Sequence, residues 1–238
     1  MVPTHVPRLL PEVLANNAPA ELRKRVFLRN VLPAVLRANA EIRAQRHFLH
    51  RVAVRRAAGA RLDPARRARL TDLAEQYKVD SSNMAALRRR VDIVPPSLAL
   101  AQAAIESGWG ASRFAQQANA LFGQRIYDCA SCGLKPRGFE EDPDFRVRGF
   151  DSVLGSVRAY MRNLNTHPAY RDLRERRLAA RRRGKPLNGP DLVAGLMRYS
   201  ERGAAYIRDV QRTIAANDLT DFDRARLAWQ PCPAAVRP

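Results

Sequence analysis

One glutamate stands where its neighbours would allow acid catalysis. Glu106 lies in the stretch AIESGWGASRF, directly before the run SGWG. A carboxyl group held beside apolar rings such as Trp109 and Phe114 is partly removed from water, which raises its pKa. A glutamic acid still protonated near neutral pH can donate its proton to a glycosidic oxygen, the role of the general acid in glycoside cleavage. The other interpretation is an ordinary capping or salt-bridged glutamate.

The segment before Glu106 predicts the helix that carries it. In IVPPSLALAQAAIES, Pro95 and Pro96 precede a run that is apolar on nearly every side, so we expect a buried helix. Glu106 falls in the last turn of this helix, and Gly108 and Gly110 are expected to end it. The carboxyl group would therefore stand at the edge of a helical core.

The residues further upstream predict an arm followed by helices. Residues 1–20 contain four prolines and are typical of an extended arm. Over residues 21–58, apolar residues recur at three- and four-residue spacing, which predicts a long basic helix that Pro33 kinks or divides. An Asp-Pro pair opens a predicted helix over residues 63–77, and a shorter one is expected over residues 81–90.

The downstream half predicts a change of secondary structure and then more helices. Residues 119–150 alternate apolar and polar residues around CASCGLKPRGFEED, which predicts a small antiparallel β lobe. Asp151-Ser152 would cap the next helix, and others are expected at about 190–199 and 204–216. The predicted fold class is mainly α, α+β, with a helical core and a small antiparallel β lobe. The predicted regions are an arm (1–20), a helical region that packs on the core (21–90), a catalytic domain (91–217) and a tail (218–238).

The chain is strongly basic, which bears on its partners. Its 42 Lys and Arg residues against 23 Asp and Glu residues give a net charge of +19. Such a charge predicts affinity for polyanions such as nucleic acid, anionic lipid or an acidic cell-wall polymer. A compositional bias toward Arg would produce the same excess without a partner. No zinc-finger or RNP pattern is present, so we expect no specific nucleic-acid partner. The 46% hydrophobic content excludes a disordered tail.

The cysteines bear on metal binding, and the N-terminal residues bear on export and membrane insertion. Cys129 and Cys132 form a close pair, and Cys232 stands apart. A structural zinc site takes four ligands, so we expect no metal and no other cofactor, and the pair is either a local disulfide or a reduced structural pair. The first 25 residues lack a charged segment followed by a long apolar run. Neither a signal peptide nor a transmembrane helix is therefore predicted.

Two blocks of the sequence resemble a known family. LALAQAAIESGWGASRFAQQANALFGQ is similar to the signature of the glucosaminidase domain of glycoside hydrolase family 73, in which A-x-x-E-S-G-W-G is followed by a helix and N-x-L-F-G. FRVRGFDSVLGSVRAYMRNLNTHPAYRDLR is similar to the second block of that family, a strand, a helix and then a P-x-Y tyrosine. The long basic helix predicted ahead of the first block and the segment LNTHPAY resemble the Bax-type branch of this family. The resemblance covers about Arg23 to Asn217.

The resemblance implies a lysozyme-like bilobal fold and a peptidoglycan hydrolase that cleaves the β-1,4 bond after N-acetylglucosamine. It makes Glu106 the general acid and places Tyr206 where it would orient the acetamido group or a water. The other residues that it assigns to the cleft are Ser107, Gly108, Trp109, Asn119, Phe122 and Tyr170. Trp109 and Phe122 are equally compatible with a place in the core. We expect a monomer in the cell envelope that acts on peptidoglycan glycan strands and holds anionic envelope polymers with its basic surface.

The resemblance leaves the second catalytic group open. An inverting hydrolase needs a base carboxylate well separated from the acid, whereas a substrate-assisted enzyme uses the acetamido group of the sugar. In relatives a second glutamate precedes the FRV strand, where this chain has GFEEDPDFRV. Glu140 and Glu141 are therefore the candidates, ahead of Asp142 and Asp144. The other interpretation of this segment is a hydrated acidic loop.

Three other functions fit parts of the sequence. A lytic transglycosylase would keep the fold and the acid but release a 1,6-anhydro product. A wall-binding protein that has lost its base would bind peptidoglycan without cleaving it. A basic nucleic-acid-binding protein would use the net charge of +19 alone.

Overall fold

A short helix that is buried on nearly every side lies at the centre of the structure. The computed structural model describes residues 2, 5–14, 18–127, 129, 131–136 and 145–228. These residues form nine α-helices and three short strands: α1 (Ala20–Ala57), α2 (Pro64–Gln76), α3 (Met84–Arg90), α4 (Pro96–Ser107), α5 (Arg113–Ala118), β1 (Arg125–Ile126), β2 (Gly133–Leu134), β3 (Arg146–Arg148), α6 (Val153–Thr166), α7 (Arg171–Arg182), α8 (Gly189–Leu192) and α9 (Ala204–Ala216). The predicted mainly helical α+β class is confirmed.

The central helix is α4, and its sequence explains both its position and its ends. Its apolar residues face every direction and are buried, and α1, α8 and α9 pack around it. Pro96 occupies the first helical position, where a missing N–H costs nothing. Gly108 ends the helix with φ 58°, the left-handed conformation that glycine adopts without strain. The predicted buried helix with Glu106 in its last turn is therefore confirmed.

The helix α1 runs through Pro33 without a break. The sequence predicts that Pro33 kinks or divides this helix, but the structure has a single helix of 38 residues. Pro33 and the residues around it are buried, and α1 packs along both α4 and α6. The apolar burial of this face outweighs the backbone hydrogen bond that the proline removes.

Side chains cap several helices, and two boundaries differ from the sequence prediction. Asp63 and Ser152 accept hydrogen bonds from backbone N–H groups at the starts of α2 and α6, as predicted. The helix α3 begins two to three residues later than predicted, because Asn83 supplies the cap. The helix predicted at 190–199 is instead the short α8 followed by a 3-10 turn over Val193–Leu196. The helix α9 has the predicted bounds.

The three strands form one small antiparallel sheet in the order β1-β3-β2. Arg125 pairs with Val147, and Gly133 pairs with Arg148. Cys129 and Cys132 form a disulfide in the connection between β1 and β2, which settles the alternative left open by the sequence. The strands cover less of the chain than the predicted lobe at 119–150, since residues 119–124 form a turn and irregular chain before β1.

A buried ion cluster ties α1 and α7 to the start of α4. Asp92 lies just before α4 and is 2% exposed. Arg181 donates to both of its carboxylate oxygens, at 3.1 and 2.9 Å, while Arg46 and Arg177 lie at 3.4 and 3.9 Å. Burial raises the pKa of Asp92, but these guanidinium groups, Arg177 foremost, outweigh burial and lower it. The cluster fixes the entry of the chain into α4 and thereby the position of Glu106.

The N-terminal residues pack against the same core. Leu10 and Leu14 are buried beside Gly110, and Val2 makes a β-bridge with Leu227. In the described part of the chain, no helix is both long enough and apolar enough to cross a bilayer.

Candidate active site

Glu106 opens into a cavity of about 870 Å³. The last turn of α4 supplies Glu106, and the segment 122–125 that follows α5 forms a wall. Asn163, His167 and Tyr170 contribute from α6 and the turn after it. The segment 198–202, which leads into α9, completes the lining. The cavity lies between the helical core and the sheet, where the sequence places the cleft.

A chain of hydrogen bonds fixes the orientation of the Glu106 carboxyl group. The Tyr160 hydroxyl donates to Oε1 of Gln102 at 2.7 Å, and Nε2 of Gln102 donates to the Tyr206 hydroxyl oxygen at 2.8 Å. The Tyr206 hydroxyl in turn donates to Oε1 of Glu106 at 2.8 Å. A phenol has one hydrogen to donate, so the amide of Gln102 directs that hydrogen to Glu106.

These hydrogen bonds distinguish the two carboxyl oxygens of Glu106. Because Oε1 accepts from Tyr206, an acid proton belongs on Oε2. Oε2 faces Gly123, where a Cβ atom would lie 3.7 Å from it. Glycine at 123, with φ 60°, leaves the space in front of Oε2 open. The proton-bearing oxygen is thus the one that faces the wall of the cavity.

The surroundings of Glu106 favour its neutral form. Burial raises the pKa of Glu106, and the hydrogen bond from Tyr206 and the charge of Arg202 oppose this only in part. Arg202 is engaged with Asp209 at 2.5 Å. Burial and the nearby Glu106 carboxylate both raise the pKa of Tyr206, so that the phenol remains a hydrogen-bond donor.

Three tyrosines form an aromatic wall beside the acid. Tyr206 stacks on Tyr199 with ring centroids 5.3 Å apart, and Tyr170 lies 5.9 Å from Tyr199. The Tyr199 hydroxyl donates to the carbonyl oxygen of Phe122 at 3.3 Å, which links this wall to the opposite one. Tyr170 and Tyr199 line the cavity, whereas Tyr206 is buried and reaches it only through Glu106. Tyr199 is a cavity residue that no local pattern in the sequence indicates.

The residues directly after Glu106 have local structural contacts. Ser107 is buried, where its hydroxyl donates to the Ala103 carbonyl at 2.6 Å and accepts from the Gly110 N–H at 2.8 Å. Trp109 has φ 58°, and its ring packs edge-on against Phe27 of α1 at 5.5 Å. Trp109 does not line the cavity. The aromatic side chains that line the cavity beside Glu106 are therefore Phe122, Tyr170 and Tyr199.

Two residues of the N-x-L-F-G segment lie in different surroundings. Phe122 lines the cavity, but its ring is 4% exposed and stacks on Tyr160 at 3.9 Å. Asn119 is buried with φ 51°, and its amide donates to the Phe150 carbonyl at 2.9 Å. That bond holds the segment to the chain that leads into α6. Asn119 is not among the residues that line the cavity.

The candidate second carboxylates lie outside the described residues. Glu140 and Glu141, together with Asp142 and Asp144, belong to the segment 137–144. Within the described part of the cavity lining, Glu201 is the carboxylate besides Glu106, and it is exposed. Glu201 was not predicted as a site residue, because an acid in the polar turn SERG carries no local signal of a cavity.

Comparisons with known proteins show the family to which the chain belongs. Residues 81–219 match the family model "Glucosaminidase", described as mannosyl-glycoprotein endo-beta-N-acetylglucosaminidase. The chain is 37% identical over 210 residues to "Protein bax" of Escherichia coli (strain K12), which covers 82% of this chain and 72% of that protein. No solved structure gives a significant match. The matched residues include α4, the sheet and α9, and the chain therefore belongs to the glucosaminidase family, as its two sequence blocks predict.

Proposed function

We propose that this protein is a peptidoglycan hydrolase, an endo-β-N-acetylglucosaminidase that cleaves the β-1,4 bond after N-acetylglucosamine. The observation that carries the proposal is the Tyr206 hydrogen bond to Oε1 of Glu106, which leaves Oε2 as the proton-bearing oxygen beside Gly123 in the cavity wall. Family membership supports a glycan substrate. A cavity of about 870 Å³ offers room for sugar rings.

In the proposed mechanism Glu106 is the general acid. Its raised pKa keeps the carboxyl group protonated at a higher pH than that of an exposed glutamate. The Oε2 proton passes to the glycosidic oxygen as the bond to the anomeric carbon breaks. The sugar then carries oxocarbenium character, and the Glu106 carboxylate that forms is stabilised by Tyr206 and by the charge of Arg202.

The second catalytic group is a carboxylate of the protein in one possible mechanism and the acetamido group of the sugar in the other. In the inverting mechanism a carboxylate of the acidic segment, Glu140 or Glu141, activates a water on the opposite face of the sugar. In the substrate-assisted mechanism the acetamido oxygen of the sugar attacks the anomeric carbon as the protonated leaving group departs, and water then opens the cyclic intermediate. Tyr170, which lines the cavity, would orient the acetamido group. The anomeric configuration of the first product, read by NMR, distinguishes inversion from retention. Loss of turnover in Glu140→Gln or Glu141→Gln, but not in Glu201→Gln, would identify the base.

Product analysis tests the proposal itself. Purified peptidoglycan is digested, and the products are reduced with borohydride and weighed by mass spectrometry. Products that end in reduced N-acetylglucosamine support the proposed activity. A 1,6-anhydro end would make the protein a lytic transglycosylase, and binding of peptidoglycan without any cleavage would make it a wall-binding protein. We further propose that it works as a monomer in the cell envelope.

A further inference from the structure

A second large cavity lies beside the first and shares lining residues with it. It measures about 820 Å³ and lies between the sheet and α6. Gln124, Arg125 and Asn163 line both cavities, so the two cavities lie on either side of a shared boundary. A ligand in the second cavity can therefore belong to the same molecule whose sugars lie at Glu106.

The second cavity is strongly basic. Five of its lining residues are cationic, and they define what we call the basic groove: Lys78, Arg125, Arg148, Arg158 and Arg162. Asp151 is the acid in the same lining. Arg158 pairs with Glu41 through two hydrogen bonds, at 2.8 and 2.6 Å. The other four cations have no salt bridge to any residue that the structure describes.

The fold holds several of these cations in place before any ligand binds. Arg158 and Arg162 lie one turn apart on α6 and therefore on one face of it. The guanidinium of Arg148 lies 5.1 Å from the ring centre of Phe150, and that of Arg125 lies 5.2 Å from that of Phe145. Stacking on a ring restricts a long side chain while leaving its N–H groups free to donate.

Planar anions suit this arrangement best. A guanidinium donates two parallel hydrogen bonds to a carboxylate, and several arginines along a groove suit a ligand with several carboxylates. In peptidoglycan, peptide stems branch from alternate sugars of the glycan strand and carry free carboxylates. A strand whose sugars lie at Glu106 would bring such a stem to the groove through the shared residues Gln124, Arg125 and Asn163.

We propose that the basic groove binds the carboxylates of the peptide stem carried by the glycan strand in the Glu106 cavity. This inference rests on the proposed function, because it takes peptidoglycan as the substrate. It adds a substrate preference: strands that retain their peptide stems bind more tightly than bare strands. Arg148 and Arg162 are specificity-determining residues in this proposal and take no part in bond cleavage.

The test is a binding measurement with matched ligands. Titration calorimetry compares soluble glycan fragments that carry stems with free carboxylates against the same fragments with amidated carboxylates. We expect amidation to weaken binding to the wild-type protein roughly tenfold, as the loss of two partly exposed charge contacts would. The variant Arg148→Gln/Arg162→Gln should bind the fragments with free carboxylates roughly tenfold more weakly than wild type does. Amidation of the fragments should not weaken binding to this variant further. A matched control, Arg61→Gln/Arg67→Gln, removes two exposed charges outside the groove and should bind like wild type.

Three results would overturn the proposal. The first is equal affinity of the wild-type protein for the two ligands. The second is a groove variant that still responds to amidation. The third is groove-dependent binding of poly(glycerol phosphate) with no effect of stem amidation, which would assign the groove to a phosphate polymer.

Cleavage of bare glycan strands separates this proposal from the proposed function. Cleavage by both wild type and groove variant, without carboxylate-dependent binding, contradicts the groove assignment alone. Carboxylate-dependent binding without cleavage by any variant supports the groove and contradicts the hydrolase.

Discussion

Replacing Tyr206 with phenylalanine tests how the acid is held. The substitution keeps the ring that stacks on Tyr199 and removes the hydroxyl that donates to Glu106 at 2.8 Å. A hydrogen bond to a charged group contributes about 1.5–3 kcal/mol, and we take the low end because Glu106 is half-buried. At about 1.4 kcal/mol per pH unit, the carboxylate should protonate about one pH unit higher in the variant.

Two assays measure this shift. The general acid must be protonated, so kcat/KM falls as pH rises through the pKa of Glu106, and this basic limb should move to higher pH in Tyr206→Phe. The carbon-13 shift of the Glu106 carboxyl group gives the same pKa when turnover is low. Tyr199→Phe is the matched control, because its hydroxyl binds the Phe122 carbonyl and not Glu106. A basic limb that stays in place, or moves to lower pH, in Tyr206→Phe would refute this role of the hydrogen bond.

Three further predictions concern stability, each measured by urea unfolding. The raised pKa of Glu106 gives stability that is present below the pKa of the unfolded state and lost as pH rises through the folded value. The stability of Glu106→Gln relative to wild type should therefore increase as pH rises above the unfolded-state pKa, and a stability difference that does not change with pH would contradict this. Arg177→Met removes a buried cation beside Asp92 and should lower the free energy of unfolding by about 3 kcal/mol at neutral pH. The pKa of Asp92 is lowered, so its stabilisation is lost in both proteins as pH falls through its folded value. A cost under about 1 kcal/mol would show that Arg46 and Arg181 suffice to neutralise Asp92. Gly195→Ala would place a Cβ atom 2.5 Å from the backbone of Leu173 and should cost about 1–3 kcal/mol, whereas an unchanged midpoint would show that α7 can shift.

Local sequence signals predicted the helix that carries the acid. Pro96 at the start of α4, Gly108 at its end and apolar residues between them define the helix without reference to any distant residue. Gln102 also carried a local signal. It is the polar residue in an otherwise apolar run, and it lies four residues before Glu106, which places both on one face of the helix. Sequence reasoning could have identified it as a partner of the acid.

Contacts between distant segments decided the rest of the site. Trp109 is adjacent to Glu106 in sequence, but its left-handed backbone and the packing of Phe27 place its ring against α1. Tyr199 reaches the cavity because a 3-10 turn and a loop precede α9, an irregular path that no periodicity predicts. The strands are only two or three residues long, and their pairing joins segments about 20 residues apart. Alternation of polar and apolar residues cannot locate strands this short.

The proton donor can be tested most directly by digesting purified peptidoglycan with wild type, Glu106→Gln and Glu75→Gln side by side. Glu75 is an exposed glutamate on α2, so its substitution controls for the lost charge. We predict that wild type and Glu75→Gln release products with a reducible N-acetylglucosamine end, and that Glu106→Gln, folded and able to bind the wall, releases them at least about 100-fold more slowly. Release by Glu106→Gln at the wild-type rate would contradict the assignment of Glu106 as the general acid.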